Sequence, residues 1–490
     1  MLRLVQFTKN NFAPINQIPP ELLSLIPRYL DDDRRDKSLI AMTQVCRGWR
    51  DVLIRCSLLW TSLNCVDFDK TRVYIERSRS SPLEVSLNES KSPCYRMGPF
   101  LLVVPHIGRV DSLAVVGGAS LLQNLMKYFS CPIPLLRNLT IRLDCGFPPA
   151  LSAELFNGDL SSLCKLTLAG VIPHLPWQNI PKLTTFTLFD IPGEKISVAR
   201  LLDFFTNAPL LNLIQLFSMP ETSDAHPRRV VSLPCLKVLA ISAGSAHSSI
   251  LLNHLCIPTG ALLHLGFDFT GEESPLPKVL PKTPENLQNA LHITSACLRF
   301  GLTFFVRFKG PSGELHMNAP RSEWALSTSV VPDRRFLQSL DYFDLSRIQR
   351  LAVRTYEHPG LEEIDISPPS HILGITKDLR TLLLNKGNNL PFILALNPGK
   401  NASDRVLCSK LEDLIFYVDN RKSFNTPELM NMAKERASKG AKLRSILVAS
   451  PVVFLCEEDV LKLKGYVVHV ECRTQESEPE WDSIPGGGGD

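Results

Sequence analysis

The stretch "LRNLTI", residues 136–141, places apolar side chains at Leu136, Leu139 and Ile141 with polar ones between them. Its second half alternates with a period of two, the pattern of a short strand that buries one face. The same apolar-x-x-apolar-x-apolar pattern begins at Val110, Leu136, Leu163, Leu183, Leu211, Leu236 and Leu262, at intervals of 20 to 28 residues. It returns at Ile348, Leu379, Leu411 and Leu443, at intervals of 31 or 32. So short a pattern recurs by chance, and two details lift it above chance. The first intervals cluster within 20 to 29 residues, the length of one repeat unit, and Pro134, Pro181, Pro209 and Pro234 each stand two places ahead of a copy, where proline stops the preceding segment and sets the entry into a strand.

Between the strands, apolar residues recur at helical spacing, best in "SVARLLDFFTNAP" (197–209) with Val198, Leu201, Leu202 and Phe205 on one side. Strand then helix, repeated, predicts an α/β array over residues 107–472 in which each unit buries its apolar face against the next. Residues 268–346 break the interval. There "LHITSACLRFGLTFFVRFKG" and "GELHMNA" read as longer strands around a Gly-rich turn, an insertion or an irregular pair of repeats. The tail "RTQESEPEWDSIPGGGGD", 473–490, has no apolar periodicity and is expected to be disordered.

Ahead of the array, residues 14–60 read as a small helical unit, with 61–106 as a linker and first repeat-like segment. "PPELLSLIPRYL" has Pro20 and Glu21 where a helix starts, then Leu22, Leu23, Ile26 and Leu30 at helical spacing, with Pro27 expected to kink it. Asp36 is expected to cap a second helix through Leu39, Ile40 and Val45, and a third carries Trp49, Val52 and Leu53. A bundle this small buries too little surface to be comfortable alone, so apolar neighbours from elsewhere are expected to complete it.

The 490 residues are 44% hydrophobic and 21% charged, with a net charge of +4. That suffices for a packed interior and leaves no strong nucleic-acid or membrane-surface footprint. The first residues lack a secretory apolar run, and no stretch is long and apolar enough to span a bilayer, so the expected setting is intracellular, cytoplasmic or nuclear. The 13 cysteines include no C-x-x-C pair, which speaks for reduced thiols rather than zinc or redox sites.

The segment "INQIPPELLSLIPRYLDDDRRDKSLIAMTQVCRGWRDVLIRCSLLW" resembles an F-box of the fungal type. The residues that carry the likeness are Ile18-Pro19, Glu21, Leu22-Leu23, Ile26, Leu30, Val45-Cys46-Arg47, Trp49-Arg50 and Leu59-Trp60. "YIERSRSSPLEVSL" (74–87) resembles the helix and strand that join such a domain to repeats. The downstream intervals resemble leucine-rich repeats, irregular ones, because Asp144, Val171, Ile191 and Gly244 stand where the regular asparagine would be. The resemblance implies a three-helix F-box followed by an irregular leucine-rich-repeat solenoid. It also implies a substrate-receptor subunit of a Skp–cullin–F-box ubiquitin ligase, docking on a Skp-type adaptor and through it a cullin, and holding an unknown protein substrate. A repeat scaffold acting outside a cullin ligase is the alternative.

Ile18, Pro19, Leu22, Leu23, Ile26, Val45, Cys46 and Trp49 are the expected adaptor contacts, through apolar burial, with Arg47 and Arg50 solvated. Outward positions of the repeat strands, such as Thr140, Arg142, Lys165, Thr167, Arg380 and Arg444, are the candidates for substrate contact. Phosphate loops, dinucleotide turns, zinc-protease and nucleophile-elbow motifs are all missing from the sequence. Ser245 and His247 in "AGSAH" read as a loop, and Glu457, Glu458 and Asp459 as a helix start. The expectation is a non-catalytic protein with no cofactor and no metal.

Overall fold

The structure, a computed structural model, describes residues 14–30, 32–89, 97–144, 149–151, 155–173, 178–189, 196–219, 229–243, 245–266, 280–281, 287, 292–300, 303–320, 340–355, 366–385, 387, 389–400, 405–418, 424–451 and 455–474. Two compact units emerge, Met1–Ile196 with Asp203–Leu211, and Ser197–Leu202 with Asn212–Asp490. The division falls inside the segment the sequence reads as one array. Of the tail expected to be disordered from residue 473, Arg473 and Thr474 instead end a paired strand, His469–Thr474, and the rest lies outside the described residues.

The first unit opens with helices α1 (Pro20–Leu25), α2 (Asp32–Val45) and α3 (Arg47–Arg55), then a 3-10 turn, Ser57–Trp60. Strand β1 (Ser62–Leu63), α4 (Phe68–Ser78), β2 (Leu83–Asn88), α5 (Gly98–Val103), β3 (Val110–Gly117), α6 (Ala119–Met126) and β4 (Asn138–Leu143) follow. Next come β5 (Ala150–Leu151), β6 (Lys165–Ala169), β7 (Ile172–Pro173) and β8 (Thr185–Phe189). Strands β1, β2, β3, β4, β6 and β8 pair in that order, all parallel, and β5 pairs with β7 beside them. Helix α7 (Val198–Thr206) is the one read from "SVARLLDFFTNAP", and its Val198, Leu201, Leu202 and Phe205 are buried.

The second unit contains β9 (Leu213–Met219), β10 (Val231–Ser232), β11 (Val238–Ala243), α8 (Ser245–Asn253), β12 (Leu255–Cys256) and β13 (Leu262–Gly266). Three longer strands follow, β14 (Ser295–Phe300), β15 (Thr303–Gly310) and β16 (Gly313–Pro320). The last part alternates β17 (Arg350–Thr355), α9 (Ser367–Ile375), β18 (Thr381–Asn385), α10 (Leu390–Leu396), β19 (Asp413–Tyr417), α11 (Thr426–Ser438), β20 (Ser445–Ser450), α12 (Glu457–Lys464) and β21 (His469–Thr474). Strands β9, β11 and β13 are parallel neighbours, as are β17 to β21. Between them the antiparallel meander enters in reverse order: β16 lies beside β13 and β14 beside β17.

The repeated pattern has a physical meaning in this fold. At Leu136, Leu139 and Ile141, and at the matching positions of nine further copies, the side chains are 3% exposed or less. Leu136, Leu183, Leu211 and Leu236 each donate a backbone N–H to the carbonyl three residues earlier, closing a turn. Pro134, Pro181, Pro209 and Pro234 occupy the second position of those turns, where a fixed φ near −65° is what the turn requires. The copy at Leu262 needs correction. There the buried row is Ala261, Leu263 and Leu265, while Leu262 points outward opposite Glu314. The strand–helix alternation is also incomplete, since among the described residues only β7 lies between β6 and β8. In the turn that leaves β6, Gly170 has a φ of +64°, and a Cβ there would come within 2.1 Å of the Leu143 carbonyl oxygen. "AGSAH", expected as a loop, instead opens α8 at Ser245, and Glu457, Glu458 and Asp459 lie in the first turn of α12.

Candidate docking face

Helix α1 and the 3-10 turn that continues it, Ile26–Tyr29, sort their apolar residues to two sides. Leu23 and Pro27, one turn apart, point inward, and Leu23 is 3% exposed. Leu22, Leu25, Ile26 and Tyr29 recur at three- and four-residue steps on the other side and are exposed, Leu22 by 54% and Tyr29 by 85%. Pro27 does more than kink the helix: α1 ends at Leu25, and the chain continues as a 3-10 turn over Ile26–Tyr29. Leu23 is therefore withdrawn from the expected contact residues, because the bundle's own interior takes its side chain.

In "VCRGWRDVL" the residues divide in the same way. Cys46 is extended, and its Sγ accepts the backbone N–H of Trp49 at 3.5 Å, so it caps the start of α3. Arg50, expected to be solvated, is exposed but also donates from Nε to the Thr43 carbonyl at 2.9 Å, joining α3 to the last turn of α2. Arg47 is exposed, Trp49 is half-buried, and Val45 is 56% exposed. Leu53 is fully buried. Ile18 is half-buried and Pro19 exposed, and Ile40 and Leu58 add further exposed apolar surface.

The interior of this bundle is completed from downstream. Trp60, 1% exposed, donates from Nε1 to the Leu53 carbonyl at 2.9 Å. Tyr74 of α4 meets its ring edge-on at 5.0 Å between centroids, and the Arg77 guanidinium stacks over it at 4.3 Å. Asp36 does not cap α2, which starts four residues earlier. Its carboxylate instead accepts from Tyr74 Oη at 3.0 Å and pairs with Lys70 Nζ. Sequence reading missed this fastening, whose one local trace is the charged run that opens α2.

The six expected substrate positions do not form one group. Thr140 and Thr167 are half-buried and directly opposite each other on β4 and β6, with Arg142 and Lys165 exposed on the same row. Arg380 and Arg444 belong to the second unit and clasp Glu412 from either side, at 3.5 and 3.2 Å. Arg444 also donates to Asp413 at 3.0 Å. These two arginines are thus engaged in a surface ion network across neighbouring strands.

Among the described residues no His, Cys, Asp and Glu cluster is arranged to hold a metal, and no helix is long and apolar enough to cross a membrane. Burial pushes the Cys65 thiol up to about 12 and the Cys408 thiol up to about 11, which suits interior packing rather than nucleophilic chemistry.

The F-box-like family model matches residues 15–66, the span of α1 to α3, the 3-10 turn and β1. The chain therefore carries an F-box-like domain, and domains of this class generally bind Skp-type adaptors. No curated protein matches the chain.

Proposed function

We propose that this protein is a non-catalytic substrate receptor of a Skp–cullin–F-box ubiquitin ligase. The F-box-like face docks on a Skp-type adaptor, and the sheets that follow hold the protein to be modified. The observation that carries this reading is the set Leu22, Leu25, Ile26 and Tyr29, left exposed on α1 and the 3-10 turn that continues it, inside the matched segment. An apolar row at this spacing is what a partner's groove reads in helix recognition. Val45 and Trp49 extend the apolar surface at the α2–α3 junction, and a half-buried indole is a frequent hot spot. On this reading the parallel strands are rungs of irregular leucine-rich repeats within each unit, supported by the recurring turn and buried triplet. The contribution to ubiquitin transfer is effective concentration, since binding substrate and adaptor on one chain makes their encounter intramolecular.

The test is co-purification of the full chain with a Skp-type adaptor and a cullin. Wild type is expected to retain both, and Leu22→Ala with Trp49→Ala to lose both while remaining folded. A monodisperse wild-type chain that captures no adaptor defeats the proposal. Adaptor without cullin favours the scaffold role instead.

A further inference from the structure

The last strand of the second unit leaves one side of its sheet open. Among the described residues β21 pairs with β20 alone, in parallel and with no shift of register. His469 donates its backbone N–H to the Arg444 carbonyl at 2.9 Å. Backbone polar groups of alternate residues point to the same side of a strand. His469, Glu471 and Arg473 therefore turn theirs toward β20, and Val470, Cys472 and Thr474 turn theirs outward. Natural edge strands are guarded by brevity, proline, lysine or a bulge. Strand β1, which among the described residues pairs with β2 alone, is guarded by brevity, at 2 residues. Strand β21 has 6 residues, with no proline, no lysine and no bulge.

The side chains of β21 select what lies alongside it. Glu471 and Arg473 share one face, pair with each other at 2.6 Å and remain more than half exposed. An antiparallel neighbour must set its outward-turned residues against those of β21. If the neighbour is a second β21, a register centred on Glu471 sets carboxylate against carboxylate, and one centred on Arg473 sets guanidinium against guanidinium. A register centred on Val470 carries Arg473 past the end of the opposing strand. Centred on Cys472, Glu471 of each copy faces Arg473 of the other, and Val470 faces Thr474. Both charged pairs then fall at the non-hydrogen-bonded positions, where side chains approach more closely and opposite charges stabilise. Leu461 of α12 and Val468, 69% and 55% exposed, leave apolar surface at the same end of the unit.

We propose that this edge binds a second copy of the same chain. Two β21 strands pair antiparallel about a two-fold axis at Cys472 and join the sheets of their second units. Such an interface is isologous: each copy offers the same residues that it receives. Backbone hydrogen bonds of Val470, Cys472 and Thr474 supply the attachment, as in strand addition generally, and the Glu471–Arg473 exchange fixes the register. The charge order along the strand is what favours a copy over an unrelated strand, because it complements itself when reversed. An interface of one strand and its flanks is small, so the dimer is weak and depends on concentration. Helix α1 belongs to the other unit, and the inference does not rest on adaptor docking.

Sedimentation equilibrium of the full chain, from about 1 to about 100 μM at low salt, measures the association. Wild type is expected to pass from monomer to dimer across that range. Glu471→Arg and Arg473→Glu, each alone, set like charges opposite one another and are expected to weaken the dimer about tenfold or more. Mixing those two variants is expected to restore association as a heterodimer, and so is combining both changes in one chain. The mixture also guards against misfolding, since a variant that has lost its fold is not rescued by another. A short bismaleimide reads the register: it is expected to join Cys472 to Cys472, located by peptide mass and lost in Cys472→Ser. Wild type that stays monomeric throughout, a dimer indifferent to both charge reversals, a mixture that fails to associate, or cross-links that omit Cys472 overturns the proposal.

Discussion

Leu22 and Leu23 are adjacent in sequence and opposite in consequence. Leu23→Ala removes a side chain from a closed interior and is expected to cost about 2–4 kcal/mol, whereas Leu22→Ala is expected to stay within about 0.5 kcal/mol. Hydrogen exchange at the α1–α3 amides measures both, and equal effects would contradict the two-sided reading of α1. The two tryptophans contrast in the same way. Trp60→Ala is expected to loosen α3 and α4 together, while Trp49→Ala leaves them intact and acts on adaptor capture. Cys46 is a third case. Since its sulfur caps a helix, Cys46→Ser is expected to keep α3 at equal or greater stability, because a hydroxyl is a preferred cap. A marked loss of helix protection in that variant would point to a different role for the thiol.

At the scale of elements, Arg436 of α11 is the clearest staple. It is fully buried, and it donates to the carbonyls of Leu407 at 2.8 Å and Cys408 at 2.9 Å in the turn that leads into β19. Arg436→Ala strands two carbonyls beside a cavity and is expected to cost about 3–5 kcal/mol, read as a drop in the thermal midpoint. The meander carries a pH response. Burial, and then the neighbouring His316 charge, hold His264 below its ordinary value, with Glu314 pulling the other way. For Glu314, burial works upward, but the His316, Arg307 and Lys309 contacts outweigh it and keep the carboxyl below its usual value. In both cases the unfolded chain takes up the proton first, so stability is present above the unfolded pKa and is lost as pH falls. Exchange protection of β13 to β16, corrected for intrinsic rates, is expected to fall first through the ordinary histidine range and again through the glutamate range. His264→Asn is expected to remove the first step.

For the whole molecule, the domain match and the physical domain do not share a boundary. The match ends at residue 66, yet Asp36 and Trp60 are completed by Lys70, Tyr74 and Arg77. A fragment ending at residue 66 is therefore expected to be cleaved rapidly by protease, and one ending at residue 144 to persist. Equal resistance would show that the short bundle is self-sufficient. The incompleteness expected from the bundle's size thus has two parts. Its own chain supplies the side of α4, and the exposed row of α1 remains open.

The strands and the turns that feed them were legible in the amino-acid sequence, whereas the split of Leu22 from Leu23 on α1 was not. Period-two alternation, proline φ and helical spacing are local properties that neighbours along the chain impose on one another. The reading of Leu262 failed where one residue fewer before β13 shifted the buried row, a change of face that only pairing reveals. Asp36 was read as a cap because its true partners lie more than thirty residues downstream. The strands of the meander were visible as letters, but their order in the sheet was not. Tertiary structure decided that, bringing β14, rather than β16, beside β17. Register between strands distant in sequence is set by the burial of their shared apolar face, which no local pattern specifies.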